Sequence, residues 1–427
     1  MPRAGNPSQR TERPRPGDSG PVSPLGPRPS DDPRYRLLIT SNAPWASTGY
    51  GVQTAQFAVR ARSDGHEIAI AANYGLEGCN SEWAGFPVFP RGFDQYSNDV
   101  IPAQMHEWWT GSTDPDLKPL LMTLYDCWVY KGPQWSDWPI ASWVPIDHAP
   151  APPEVVNWCK RPNVLPIAMS RFGQAMLTNV GIESVYVPHA LDADTFKPTP
   201  TLATADGELV TGRALMGVPE DAHVTMIAGA NKGIYPSRKN FPGMLLAWRI
   251  FASQNPDAWL YLHTERHGGM GGINFDHLLA ACDIPLDRVR FVDQYAYRKP
   301  LSSEFLAACY TGADVFFHAS KGEGFGVQAI EAQACGTPII TSDFTAMPEL
   351  VGDGWVVDGQ PDWDPMQQSW WIDPSVPSMV EALKQSASRT YGETSDRAVE
   401  FGRQFDADRV FVDYWRPALA AIDRMLP

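Results

Sequence analysis

The chain of 427 residues carries 34 Lys and Arg against 49 Asp and Glu, a net charge of −15, which disfavours a duplex-DNA binder held by phosphate contacts. Its length suggests two or three domains, and an apolar content of 43% is enough to build real cores. No apolar run reaches the roughly 18 residues that cross a bilayer, and nothing at the N-terminus reads as a secretory signal. The six cysteines form no CxxC pair and no Cys/His cluster, so a cytoplasmic protein with reduced thiols is expected.

Residues 1–34 are dominated by Pro, Gly, Ser and scattered Arg, which cannot form a core, so a disordered tail is expected. Tyr35–Thr40 reads as the first strand. A loop ending in Gly49-Tyr-Gly51 follows, then a helix from Val52 to Ser63 and a second strand from His66 to Ala72. Residues 73–118 read as irregular. Leu120–Tyr125 and Ile140–Ile146 are strands, the latter ending in Pro145-Ile-Asp-His148. Catalytic groups gather at the carboxyl ends of parallel strands, which makes Asp147 and His148 candidates. Asp147 also reads as a holder of acceptor hydroxyls or as the cap of the next turn, and His148 as a hydrogen-bonded structural residue. Val164–Met169 and Val185–Val187 complete a first unit over 35–198, and 199–220 reads as a polar linker.

The second unit, 221–405, restarts with a strand at His223–Ala228 and a loop over 229–240. Arg238 and Lys239 stand just before a helix at Phe241, where two cations oppose the helix dipole unless an anion lies between them. Strands at 259–263 and 289–292 alternate with helices at 275–282 and 302–310. Then come a buried strand, Ala313–His318, a glycine-rich loop, Ala319–Gly326, a helix to Ala334 stopped by Cys335-Gly336, and another strand. Bare loop amides and a helix N-terminus at one spot suit a phosphate-bearing ligand. Glu323 in the loop and Glu331 in the helix lie a little over two turns apart, so both can face one cleft. Glu331 stands among Ile330, Ala332, Ala334 and Cys335, where a carboxylate needs partners. Trp370–Asp373 leads into helices near 376–388 and 396–405. A terminal helix over 406–427 carries an apolar stripe and a Pro417 that should kink it or split it in two.

The run Glu323-Gly-Phe-Gly-Val-Gln-Ala-Ile-Glu331, followed by Ala334-Cys-Gly-Thr-Pro338, Pro348-Glu349 and Gly352-Asp-Gly354, resembles the donor site of retaining nucleotide-sugar glycosyltransferases with the GT-B architecture. Two glutamates separated by seven residues are the hallmark of that family. Pro188–Pro198 is similar to its interdomain segment, with His189-Ala190 in place of the usual Asn-Gly. The resemblance implies an α/β fold of two doubly wound Rossmann-like domains facing each other across a cleft. The acceptor lobe would come first and the donor lobe second, with the terminal helix packing back on the acceptor lobe.

The resemblance also implies roles. Gly49 and Gly51 would approach the donor diphosphate from the acceptor side. Arg238 and Lys239 would clamp it; the family spaces its Arg and Lys about five residues apart, so Lys232 is the other candidate. Gly324, Phe325 and Gly326 would supply loop contacts, Glu331 would hold the ribose, Glu323 would face the sugar, and His148 would contact it. By position only, His263–Glu265 and Asp293–Tyr297 border the base and ribose. The expected reaction moves a sugar from a UDP- or GDP-sugar to a hydroxyl of a glycan, lipid or protein, with retention. No cofactor or metal is expected, because no Asp-x-Asp stands at the expected place. Two alternatives are transfer to modified DNA bases and a catalytically inactive sugar-nucleotide binder. Many of the sixteen tryptophans fall between 83 and 158, either as packing or as a surface for an acceptor or a peripheral membrane contact.

Overall fold

A computed structural model describes residues 25–204, 206–233, 237–299 and 301–426. The expected tail lies outside the described residues as far as residue 24. Leu25 and Gly26 are not loose, because their carbonyls accept from the Arg416 guanidinium at 3.3 and 2.9 Å.

The first lobe is built on eight strands: β1 (Arg34–Asn42), β2 (Glu67–Tyr74), β3 (Ser81–Trp83), β4 (Phe86–Phe89), β5 (Leu117–Leu124), β6 (Ile140–Val144), β7 (Val164–Ala168) and β8 (Val185–Tyr186). Their order is β3-β4-β2-β1-β5-β6-β7-β8, all parallel except the β3–β4 pair. Leu37, Leu38 and Ile39 of β1 are buried on both faces, which is why this strand reads as a continuous apolar run rather than an alternation. The chain leaves β1 toward β2 and later returns to its other side with β5. A crevice therefore opens at the carboxyl ends of these strands. The stretch expected to be irregular is partly regular: β3, β4 and a helix at Ile101–Thr110 lie within it, too short and too interrupted by Gly and Pro to show a period.

Residues 199–220 are not a free connector. They form a hairpin, β9 (Thr201–Ala203) with β10 (Leu209–Thr211), and a short helix, Gly212–Met216, seated on the helix Ser303–Gly312. A Cβ on Gly212 would stand 1.9 Å from the Ala308 carbonyl oxygen, so only glycine permits that approach. The second lobe holds β11 (His223–Ala228), β12 (Ala258–His263), β13 (Val289–Phe291), β14 (Val315–His318), β15 (Ile339–Ser342) and β16 (Gly354–Val357). All are parallel in the order β13-β12-β11-β14-β15-β16, with a switch between β11 and β14.

A further hairpin, β17 (Gly359–Asp364) with β18 (Ser369–Pro374), is inserted between β16 and the helix Val376–Ser386. The stretch 370–373, expected only to lead into a helix, is thus one arm of this hairpin. Its turn holds Gln368 at φ +52°, a left-handed position that usually carries Gly or Asn, so the turn gave no sequence signal.

The terminal run packs on the first lobe. It reads as Ala407–Val410, a π-helical turn over Phe411–Trp415, and Arg416–Met425. Pro417 closely follows the π-helical turn, inside a run whose backbone stays helical on both sides, so the wider turn accommodates its ring and missing N–H. Trp415 packs against Phe57 and Trp143, with ring centroids 4.4 and 4.8 Å apart. Arg416 pairs with the buried Asp64.

Candidate active site

The loops after β11 and β14 are stitched together. The Lys321 amide donates to the Arg238 carbonyl at 2.8 Å, and the Asn240 side chain donates to the Ala319 carbonyl at 3.0 Å. This brings Arg238 and Lys239 onto Glu323. Lys239 Nζ lies 2.7 Å from Glu323 Oε1, while Arg238 donates to Oε2 and to the Gly322 carbonyl. Glu323 is buried, and its own amide donates to Thr345 Oγ1. Burial alone would push its carboxyl up, but Arg238 and Lys239 together outweigh that and hold it well below the usual carboxylate range. Burial also lowers the Lys239 ammonium from its ordinary value, against the pull of Glu323.

Glu331 meets a different environment. It is buried on the helix Val327–Ala334, and its one side-chain partner among the described residues is the Tyr310 hydroxyl, donating at a long 3.5 Å. Burial without a cation raises its pKa to about 8. The two glutamates are therefore one fully paired anion and one neutral acid with spare hydrogen-bonding capacity.

The glycines act mainly through shape. A Cβ on Gly324 would meet Pro145 Cβ at 2.6 Å, and one on Gly322 would meet the Asp147 carbonyl oxygen at 2.3 Å. Their absence lets the donor-lobe loop press against the carboxyl end of β6. Gly326, at φ +113°, turns the chain into the helix whose first amides have no side-chain cap. Phe325 points away from the cleft, packed between His189 and Phe405, so any donor contact there is through backbone. Gly49 opens the helix Gly49–Ser63 with nothing within 4 Å of its would-be Cβ. The Gly51 amide is already taken by Thr48 Oγ1 at 3.1 Å, so Gly51 lets the chain pass close to Ala43 and Ala46 rather than offering a phosphate donor.

On the acceptor side, Asp147 Oδ2 lies 3.8 Å from Arg238 Nε, which brings it to the same cluster. Burial would raise its pKa, but the His148 hydrogen bond and the charges of His148 and Arg238 lower it. His148 does not face the cleft. Its ring is 1% exposed, lies 2.6 Å from Asp147 Oδ1 and 3.2 Å from Asp364 Oδ2, and stacks on Trp371. Both ring nitrogens are thus engaged inside the protein, and the expected contact between His148 and a transferred sugar would have to displace one of these carboxylates. Glu265 is likewise spoken for, its carboxylate accepting from the amides of His267, Gly268 and Gly269.

The comparisons follow this geometry. Residues 294–370, which hold both glutamates and the loop between them, match the family "Glycosyl transferases group 1". The chain superposes on a sucrose-phosphate synthase from Thermosynechococcus elongatus with a TM-score of 0.62 and 18% identity, covering 92% of this chain and 98% of that one. The chain has the GT-B fold. A second GT-B structure, the catalytic domain of starch synthase IV from Arabidopsis thaliana bound to ADP and acarbose, aligns at a TM-score of 0.56 and 11% identity over 92% and 98% of the two chains. A D-inositol 3-phosphate glycosyltransferase from Streptomyces bingchenggensis is 33% identical over 179 residues, 40% of this chain and 35% of that one. The match thus spans about a third of the length of that relative. None of the helices among the described residues is long and apolar enough to cross a membrane.

The GT-B cleft also holds residues that motif reading passed over. Asp126 follows β5 as Asp147 follows β6, and burial with the nearby Asp147 charge raises its pKa to about 6. Its place at a strand's carboxyl end was the signal available. His318 is buried with Nε2 3.6 Å from Glu323, and burial lowers its pKa to about 3. Asp364 is held in the inserted hairpin, 216 residues from its partner, and nothing local in the sequence links the two.

Proposed function

We propose that the protein transfers a sugar from a nucleoside diphosphate sugar, UDP- or GDP-linked, to an acceptor hydroxyl with retention of configuration and without a metal. The observation that carries this reading is the pairing of Glu323 with Arg238 and Lys239 at the switch point of the second lobe, with Glu331 buried on the helix that follows the same loop and free of any cation among the described residues. The donor diphosphate would take the two cations and the uncapped amides ahead of Val327. The ribose hydroxyls would donate to Glu331. Released from part of its pairing, Glu323 would face the sugar ring and stabilise the positive charge that grows at the anomeric carbon. The bond between that carbon and the β-phosphate oxygen breaks as the acceptor oxygen arrives on the same face, and its proton passes to the departing phosphate. Asp147, aligned beside Arg238, would accept a hydrogen bond from an acceptor hydroxyl. The starch synthase that shares the fold was captured bound to ADP and acarbose, a nucleoside diphosphate and a saccharide.

The test is release of free nucleoside diphosphate from a panel of UDP-, GDP- and ADP-sugars in the presence of chelator. Lys239→Ala should lower turnover about 100-fold, as expected for removal of a preorganised charge on a leaving group. Unchanged turnover in that variant, or no binding of any donor by the unmodified chain, would refute the reading.

A further inference from the structure

We propose that the β17–β18 hairpin is an interlobe clasp and that Asp364 is a positioning residue, setting the acceptor-side carboxylate of Asp147 through His148. This rests on the glycosyl-transfer reading for its functional consequence, but the clasp itself is geometric. The hairpin leaves the donor lobe and pairs its backbone with the acceptor lobe: the Ala149 amide donates to the Trp370 carbonyl at 3.1 Å, and the Trp370 amide to the Ala149 carbonyl at 3.2 Å. Ser369 Oγ donates to the Pro150 carbonyl. Its inward face delivers Asp364 and Trp371 onto His148, one as hydrogen-bond partner and the other as a stacked ring at 4.8 Å. Lys321, at the start of the loop that carries Glu323, holds the same hairpin through Asp362 and Asp373 at 2.8 and 2.9 Å.

A chain of contacts therefore runs from Asp364 to His148, to Asp147, to Arg238 and on to Glu323. Two first-lobe side chains, His148 and Asp147, are held between second-lobe groups at either end of it. Each link fixes the next, because a buried imidazole between two carboxylates has little rotational freedom. The Asp147 carboxylate is aimed at Arg238 only while the hairpin is seated. The donor lobe thus sets, through an element outside its sheet, the geometry of a group on the acceptor lobe. Domain closure and acceptor positioning become one event.

The experiment compares the full chain with Asp364→Asn and with Asp362→Asn, which removes one of the two carboxylates on Lys321, leaves Asp373 to keep the hairpin seated, and does not touch His148. UDP and GDP binding are measured by calorimetry, nucleoside diphosphate release is measured from UDP-glucose and GDP-mannose, and the ring N–H protons of His148 are followed by nitrogen-15 NMR. The expected result is turnover about tenfold lower in Asp364→Asn, a nucleotide Kd within twofold of the unmodified chain, faster exchange of the His148 Nε2 proton, and no such changes in Asp362→Asn. Equal turnover in Asp364→Asn, or the same loss in both variants, would overturn the positioning role. Should the unmodified chain neither bind UDP or GDP nor release them, the transfer reading has failed. The His148 proton then decides the clasp alone, and its unchanged exchange in Asp364→Asn would overturn it.

Discussion

Glu331 offers the sharpest trial, because its burial opposes stability while the proposed reaction gives it the donor ribose to hold. In the folded chain its carboxyl titrates at about 8 against an ordinary 4.5. Between those values the unfolded chain has lost this proton and the folded chain keeps it. The unfolded state therefore binds fewer protons, and stability falls as pH rises. The contribution is intact below pH 4.5 and is lost progressively up to pH 8. At about 1.4 kcal/mol per pH unit the full loss is about 5 kcal/mol. Glu331→Gln keeps the shape and removes the titration. Near pH 4.5 the two proteins should unfold at similar urea concentrations, and by pH 8 the variant should be the more stable by several kcal/mol. The same variant should bind UDP or GDP more weakly at pH 9, where Glu331 is ionised and a carboxylate is a better acceptor for ribose hydroxyls than an amide. Parallel stability curves from pH 5 to 8 would refute the buried-acid argument. Unchanged nucleotide affinity would refute the ribose role.

Two other substitutions and one reagent follow from the packing. Gly324→Ala places a methyl 2.6 Å from Pro145 and should prise the two lobes apart, lowering turnover at least tenfold with a larger radius of gyration in solution scattering; an unchanged radius would oppose this. Glu349 of the donor lobe accepts from the amides of Arg171 and Phe172 at 2.9 and 3.2 Å, capping an acceptor-lobe helix, so Glu349→Ala should cost about 1 kcal/mol in chemical denaturation. Of the six cysteines Cys79 alone is exposed, so a thiol reagent should modify one site quickly in the native chain, and mass spectrometry should place it there.

The fold was legible in the sequence where a strand is buried on both faces and ends at a turn that glycine announces. β1, β11 and β14 are such strands, and the two glutamates with the loop between them form one local run. Distance in the chain hid the rest. Asp364 reaches His148 across 216 residues, through a hairpin whose turn lacks glycine and whose first arm sets a tryptophan between two aspartates. A tryptophan-rich stretch gives the same pattern whether it packs or faces water; here Trp371 packs on His148 while its neighbour Trp370 is 43% exposed. Backbone roles were hidden too. Gly51 looks like a phosphate contact until Thr48 is seen to hold its amide, and Glu265 looks free until three amides are found on it.

The cluster of Arg238, Lys239, Glu323 and Asp147 is close to charge-neutral before any donor arrives, which sets a requirement for binding. A diphosphate adds about two negative charges beside carboxylates that are already ionised. The group best placed to respond is Asp126, which titrates near 6 and is at present drawn down by Arg238 and Lys232 against its own burial. A diphosphate seated on Arg238 screens that pull, so the Asp126 carboxyl should rise and take up a proton. Donor binding near pH 6.5 should then absorb a fraction of a proton, seen as a binding enthalpy that changes with the ionisation enthalpy of the buffer, and affinity should weaken as pH rises from 6 to 8. Asp126→Asn should abolish the buffer dependence while leaving nucleotide affinity at pH 6 nearly intact. If the buffer dependence persists in that variant, the responding proton belongs to another group, and the electrostatic account of the acceptor side is wrong.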